Sequence, residues 1–274
     1  MAETAATDVQ PTTGPVDGVN PGAGERLSAL LLEPDCAPGI WASVDSGEMD
    51  HLVPELLALR MEQDPIHRHK DVLSHTIAVV GKTEPEITVR LAALFHDIAK
   101  PRTRSFEHGG VTFRHHEAVG ARMTRRCLVA MGYDELLVDD VAELVRLSGR
   151  FKGYADGWSD AAVRRYARDA GPLLGRLNHL IRCDCTTRNR EKAAGIQAAM
   201  DDLEHRIAEL AEEARRAAER PGLDGAAVMA HLGIGPGRDV GRALAFLLGV
   251  KRTEGDLQRP DLEARLNAWW ADQA

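Results

Sequence analysis

The sequence predicts an all-α protein, and three observations carry that reading. Aromatic residues make up only 4% of the chain while Ala, Leu, Glu and Arg are plentiful, a balance that suits helices packed on helices better than a β-sandwich. Apolar residues recur at helical spacing, most clearly at Ile87, Leu91, Leu94 and Ile98. Breakers such as Pro101, Gly132 and Pro221-Gly222 fall where the periodic segments end. With 274 residues, 44% hydrophobic and 28% charged, the chain can form one large globular domain or two small ones.

Residues 1–24 are rich in Pro, Gly, Thr and Asp and cannot bury enough apolar surface to offset their ordering entropy, so they read as a disordered tail. A short helix is expected at Glu25–Glu33 and a second around Met49–Met61. The next starts near His69, with Val72, Ile77, Val79 and Val80 apolar. The helix over Glu86–Lys100 shows one buried face at i, i+4, i+7 and i+11, and Pro101 stops it. A loop or short hairpin follows around Gly109-Gly110. Helices are then expected at His115–Met131, Glu135–Leu147, Asp160–Arg168 and Leu173–Cys183. The polar stretch Arg190–Glu219 repeats Leu203, Ile207, Leu210, Ala214 and Ala217 at helical or heptad spacing, which predicts a long amphipathic helix for core packing or a homodimer contact. A small helical module with GIGPGRDVG as its central turn closes the chain.

The net charge of −8 excludes a whole-protein basic field for nucleic acid. Four cysteines without a CxxC pair imply no disulfide framework. No apolar run is long enough for a membrane span, and the N-terminus lacks the pattern of a signal peptide, so a cytoplasmic location is expected.

The chemistry is concentrated in four residues. His75 lies on one helix, His96 and Asp97 are adjacent on the next, and Asp184 ends a distant one. Adjacent helical residues point about 100° apart, so they share a cation only near the bisector, with further ligands brought by other helices. Two imidazoles with two carboxylates suit Mn, Fe, Co, Ni or Mg and do not resemble a thiolate-rich structural zinc site. An ionisable pair inside an apolar helix is costly unless paired or metal-bound. Within HDIAKP, Lys100 is placed one turn from His96 to hold a phosphate oxygen. Asp71, one turn before His75, is a candidate acceptor for its imidazole. Arg68, Arg102 and Arg188 are candidate phosphate clamps, Arg104 a weaker one, each against the alternative of a solvated surface Arg. Cys183 and Cys185 flank Asp184 and read as packing residues ahead of a thiol site. GIGPGRDVG reads as a tight turn ahead of a phosphate cradle.

These residues resemble the HD superfamily of metal-dependent phosphohydrolases. The stretches DPIHRHKDVLSHT, RLAALFHDIAKPRTRSF, VTFRHHEAVGARM, AVRRYARDAGPLL and RCDCTTRNREKA are similar to the C-terminal portion of bacterial, actinobacterial-type CCA-adding tRNA nucleotidyltransferases. So are LDGAAVMAHLGIGPGRDVGRALAFLL and the closing Trp pair. The likeness runs from about residue 26 to the end. It implies an HD-domain helical bundle over 67–189, a helical neck over 25–66, and a long helix with a C-terminal helical module over 190–274. The nucleotidyltransferase head of those enzymes has no counterpart in this sequence, so CCA addition by this chain alone is not expected.

The resemblance also implies metal ligation by His75, His96, Asp97 and Asp184. His116 resembles a further ligand or phosphate-binding His, with its neighbour His115 left open for the same role. Where related enzymes are expected to carry another His, this chain has Ser148, a much weaker ligand, which favours one ion over two. The expected reaction is attack of metal-activated water on a phosphate ester. Asp97 or a nearby carboxylate would take the proton, while Lys100 and His116 stabilise the charged oxygens. The expected substrate is a small phosphorylated molecule, a nucleotide in the first instance. One alternative is a non-catalytic tRNA- or partner-binding module. Another is a di-iron oxygenase of the HD type, against which Ser148 argues.

Overall fold

The computed structural model describes residues 22–61, 71–107 and 110–273. It is all-helical apart from one two-stranded hairpin. Most of the expected tail, together with Arg68 and His69, lies outside the described residues. The chain divides into two compact units at Ile207/Ala208, inside its longest helix.

The first unit opens with α1 (Ala23–Leu32), α2 (Cys36–Asp45), α3 (Glu48–Leu52) and α4 (Pro54–Leu57). Ala23 and Gly24, assigned to the tail from sequence, form the buried first turn of α1. α2 has no counterpart in the sequence reading, because Pro38 and Gly39 resemble a turn. Pro38 falls in the first turn, where a missing N–H breaks no helical bond. Gly39 is where α1 approaches, since a Cβ there would lie 2.9 Å from Leu30 Cδ1. The single helix expected over Met49–Met61 is broken at Val53, whose extended backbone precedes Pro54.

Then come α5 (Val72–Lys82), α6 (Ile87–Phe95) and α7 (Lys100–Thr103). The hairpin pairs β1 (Arg104–Glu107) antiparallel with β2 (Gly110–Phe113), Arg104 opposite Phe113. It is followed by α8 (His116–Ala130), α9 (Glu135–Leu147), a 3-10 segment over Arg150–Asp156 and α10 (Asp160–Ala170). After a second 3-10 turn, α11 (Leu174–Asp184) leads to α12 (Arg190–Ala218). On α12, Met200, Leu203 and Leu210 are buried, while Ala214 and Ala217 are exposed.

α6 is the central helix. Every residue from Thr88 to Phe95 is buried, not the single face expected, because α1, α5, α8, α9 and α11 pack around it. Such all-round burial includes Arg90, which is 1% exposed. Its Nε donates to the Glu84 carbonyl, one terminal nitrogen to Leu31 and Glu33, and the other to Pro34 and Thr83. All five guanidinium N–H donors are thereby matched to main-chain oxygens. Those oxygens close the C-terminal ends of α1 and α5, where the helix dipole is negative. Arg90 therefore fixes both helices to α6, and with α5 it fixes the element that carries His75.

The second unit contains α13 (Gly225–Leu232), α14 (Arg238–Glu254) and α15 (Arg259–Ala271) around Val228, Ala243, Leu247 and Leu266. Trp269 stacks on Phe246 with centroids 5.0 Å apart. GIGPGRDVG is the turn between α13 and α14, with Gly233 at φ +65° closing α13. Among the described residues, no helix is long and apolar enough to cross a membrane.

Candidate metal centre

Three mutually packed helices, α5, α6 and α11, deliver the expected ligand set. Asp71 caps α5 by accepting from the Ser74 N–H at 2.7 Å and from its hydroxyl at 2.5 Å. The role foreseen for Asp71, acceptor for His75, belongs instead to Thr186, whose Oγ1 is 2.8 Å from His75 Nδ1. An Asp at this position meets the unpaired amides of the first turn, a demand stronger than a reach to the imidazole.

α6 ends at Phe95 and the chain turns over 96–99, where the sequence predicted continuous helix to Lys100. The cause is local. The His96 Nδ1–H donates to the Ala93 carbonyl at 2.7 Å, and the following amides bond three residues back, Ile98 to Phe95 and Lys100 to Asp97. Pro101 has no N–H to offer Asp97. The turn aims His96 and Asp97 at one point.

The donor atoms converge there. His75 Nε2 lies 2.9 Å from Asp184 Oδ1, 3.4 Å from His96 Nε2 and 3.7 Å from Asp97 Oδ2. His96 Nε2 lies 3.2 Å from Asp97 Oδ2 and 3.5 Å from Asp184 Oδ1. With bonds of about 2.1 Å, neighbouring donors around an ion stand about 3.0 Å apart in an octahedron and about 3.4 Å in a tetrahedron. The cluster matches those spacings. A carbonyl on Nδ1 takes that N–H, so that once Nε2 gives up its proton its lone pair faces the cluster. His75, His96 and Asp97 thus form a group that could hold a metal ion.

The electrostatics favour positive charge at this point, whether a ring proton or a cation. Burial pushes the His96 imidazole down, yet Asp97 and Asp184 outweigh burial and raise its pKa to about 10. Burial likewise opposes ionisation of Asp97 and Asp184, but the surrounding imidazoles, and Lys100 beside Asp97, hold both carboxyls well below the usual range.

Residues 72–217, just over half of the chain, match the family described as HD domain. The chain belongs to the HD domain family. HD domains bind divalent metals and form a superfamily of metal-dependent hydrolases. The chain is 33% identical over 234 residues to the CC-adding tRNA nucleotidyltransferase of Thermus thermophilus, a match covering 82% of this chain and 51% of the relative. It is 31% identical over 264 residues to the A-adding tRNA nucleotidyltransferase of Deinococcus radiodurans, covering 91% and 58%. It thus spans little more than half the length of these curated relatives.

Around this group, the HD domain places the other candidates unequally. His116 is buried, with Nδ1 2.7 Å from the Phe113 carbonyl and Nε2 3.6 Å from Asp97 Oδ1; burial lowers its pKa. His115 is exposed at φ 61°, at the N-cap position just before α8. Lys100 Nζ is buried 2.7 Å from Asp97 Oδ2 and stands over the Phe113 ring, so its geometric role is to hold Asp97. Arg102 and Arg188 are exposed, and among the described residues no hydrogen bond or ion pair joins either to the cluster. Arg104 lies over the Phe106 ring. Arg68 lies outside the described residues. Cys183 is buried with its thiol raised to about 11 by burial, and Cys185 is partly exposed; neither is paired in a disulfide.

A cavity of about 660 Å³ opens beside Asp184. Ser148, Phe151, Lys152, Ile181, Lys192 and Ile196 line it with that carboxylate. The sequence reading missed the two lysines and Phe151. They lie on the 3-10 segment and the start of α12, where no motif marks them. Ser148 was noted only as a missing imidazole; its hydroxyl donates to the Val145 carbonyl at 2.9 Å.

Proposed function

We propose that this HD domain is a phosphohydrolase that removes phosphate from a nucleotide or nucleotide-like phosphate ester. The observation that carries the reading is the convergence of His75, His96, Asp97 and Asp184 at the edge of a cavity whose wall includes Lys152 and Lys192. A divalent ion held by those four residues supplies Lewis acidity toward a phosphoryl oxygen and a lowered pKa for water.

The protein's own groups have distinct tasks in this reading. Thr186 and the Ala93 carbonyl orient the two imidazoles. Lys100 keeps Asp97 ionised and in place. Asp184, 38% exposed against 3% for Asp97, is the carboxylate a water in the cavity meets, and it takes the proton as the new O–P bond forms. Lys192, together with Lys152 whose ammonium stands 3.4 Å from Glu117 Oε1, offsets the phosphate charge, and His116 supports Asp97 from the opposite oxygen. The ester oxygen leaves with the phosphorus–oxygen electron pair.

A screen of nucleoside 2′-, 3′- and 5′-monophosphates and cyclic nucleotides with Mn²⁺, Co²⁺, Ni²⁺ and Mg²⁺ tests this. Turnover by the wild type that falls at least 100-fold in His96→Ala/Asp97→Ala is expected. Turnover untouched by the double substitution would defeat the proposal. The names of both relatives favour a second reading, binding of tRNA without turnover. A salt-dependent tRNA mobility shift with no phosphate release supports that reading instead.

A further inference from the structure

We infer that His179 is a positioning residue for the metal centre. With Lys82 and Cys183 it latches the last turn of α11 to the connection between α5 and α6, and so holds Asp184 in place. The inference rests on the metal centre and is independent of whether a phosphate ester is hydrolysed there.

Asp184 needs such a hold more than the other three residues do. It ends α11, and its side chain is 38% exposed against 12% for His75, 5% for His96 and 3% for Asp97. Helix ends fray, and the last carbonyls of a helix have no partner within it. Here the end is tied on both sides of Asp184. The Glu84 N–H donates to His179 Nε2 at 3.1 Å, and the Cys183 thiol donates to the Lys82 carbonyl at 3.3 Å. The Lys82 ammonium donates to the Cys185 carbonyl at 2.5 Å, where the backbone leaves the helix with ψ 91°. His179 and Cys183 are one turn apart on the same face of α11, with Sγ 3.7 Å from Nε2.

The segment that receives α11 is itself held. The buried Arg90 guanidinium donates to the Thr83 and Glu84 carbonyls, and the Thr83 N–H closes on the Val80 carbonyl. This connection joins the helix of His75 to the helix that ends just before His96. His179 therefore ties the third of the helices that build the cluster to the point where the first two meet. The result is an Asp184 carboxylate oxygen 2.9 Å from His75 Nε2 and 3.5 Å from His96 Nε2. A group that orients a metal ligand contributes about 10–100-fold in metal affinity. His179 acts only through Asp184, so its contribution must vanish when that carboxylate is absent.

The test is a double-mutant cycle on the full chain, read as Mn²⁺ affinity by electron paramagnetic resonance. His179→Leu, which removes the acceptor, should weaken Mn²⁺ about tenfold. His179→Gln, which offers an amide oxygen at similar reach, should return affinity to within about threefold of wild type. In Asp184→Ala protein, His179→Leu should change affinity by less than about twofold. Ni²⁺ replaces Mn²⁺ throughout if the Asp184→Ala site is too weak to titrate, because imidazoles hold it more tightly. His179→Asn, too short to reach Glu84, replaces the leucine variant if that protein does not fold. Affinity unmoved by His179→Leu, an equal loss with and without Asp184, or no recovery in His179→Gln would each overturn the inference. Wild-type protein that binds no ion defeats the metal centre and the latch with it. Affinities as expected without turnover of any phosphate ester support the latch and defeat the hydrolase reading alone.

Discussion

Lys100 places its ammonium 2.7 Å from Asp97 Oδ2, with both side chains buried. A buried carboxylate that loses its ammonium partner is left with only the neighbouring imidazoles to compensate it. Lys100→Met should therefore cost about 3 kcal/mol in metal-free protein. Saturating Mn²⁺ should recover part of that loss, because an ion at the cluster supplies the charge that Asp97 lost. Urea unfolding in EDTA and in Mn²⁺ measures both; an equal loss in the two conditions contradicts this account of Lys100.

Thr186 holds His75 through Nδ1, the ring nitrogen on the side away from the cluster. Partners of this kind typically contribute 10–100-fold in metal affinity, at roughly that order. Thr186→Val should weaken Mn²⁺ binding by about tenfold while leaving the circular-dichroism spectrum unchanged. Unaltered affinity in a competition titration would remove Thr186 from the centre.

Arg90 is recognised by shape, since five carbonyl oxygens meet five N–H donors. An ammonium keeps the charge but offers three donors from one point. Arg90→Lys should thus destabilise the protein by about 2–4 kcal/mol, close to the effect of Arg90→Met. Full rescue by Lys in thermal unfolding would show that charge alone matters there.

Gly24 inverts the usual propensity argument. In an exposed helix, Gly→Ala stabilises by about 1 kcal/mol. At Gly24 a Cβ would lie 2.7 Å from the Met131 carbonyl and 3.3 Å from the Tyr133 ring, whose hydroxyl donates to the Gly24 carbonyl. Gly24→Ala should cost about 1–3 kcal/mol in urea unfolding; a gain in stability would mean that α1 does not approach α8 this closely.

These residues also show what was legible in the sequence. The helices with an apolar stripe and ordinary caps, such as α9 with its Asp134 cap, could be placed from spacing alone. His75, His96, Asp97 and Asp184 stood out because ionisable groups in apolar helices need a reason. The break after Phe95 was hidden, since the apolar period runs on to Ile98 and the bond that ends the helix comes from the His96 ring. α2 was hidden by Pro38. Arg90 looked like any helical Arg, because its partners are main-chain atoms brought together only by folding. The roles of Asp71 and Thr186 depended on three-dimensional reach, which spacing does not encode. Lys152 and Lys192 carry no motif and acquire meaning only from the shared cavity.

The central claim is that His75, His96, Asp97 and Asp184 form one metal centre. Metal analysis by plasma mass spectrometry, on protein purified without chelator, tests it most directly. The account predicts divalent transition metal or Mg²⁺ bound to the wild type and lost from His96→Ala/Asp97→Ala, with both proteins folded. Wild-type protein that binds no divalent ion even after incubation with Mn²⁺, or a double variant that retains its ion, would contradict it.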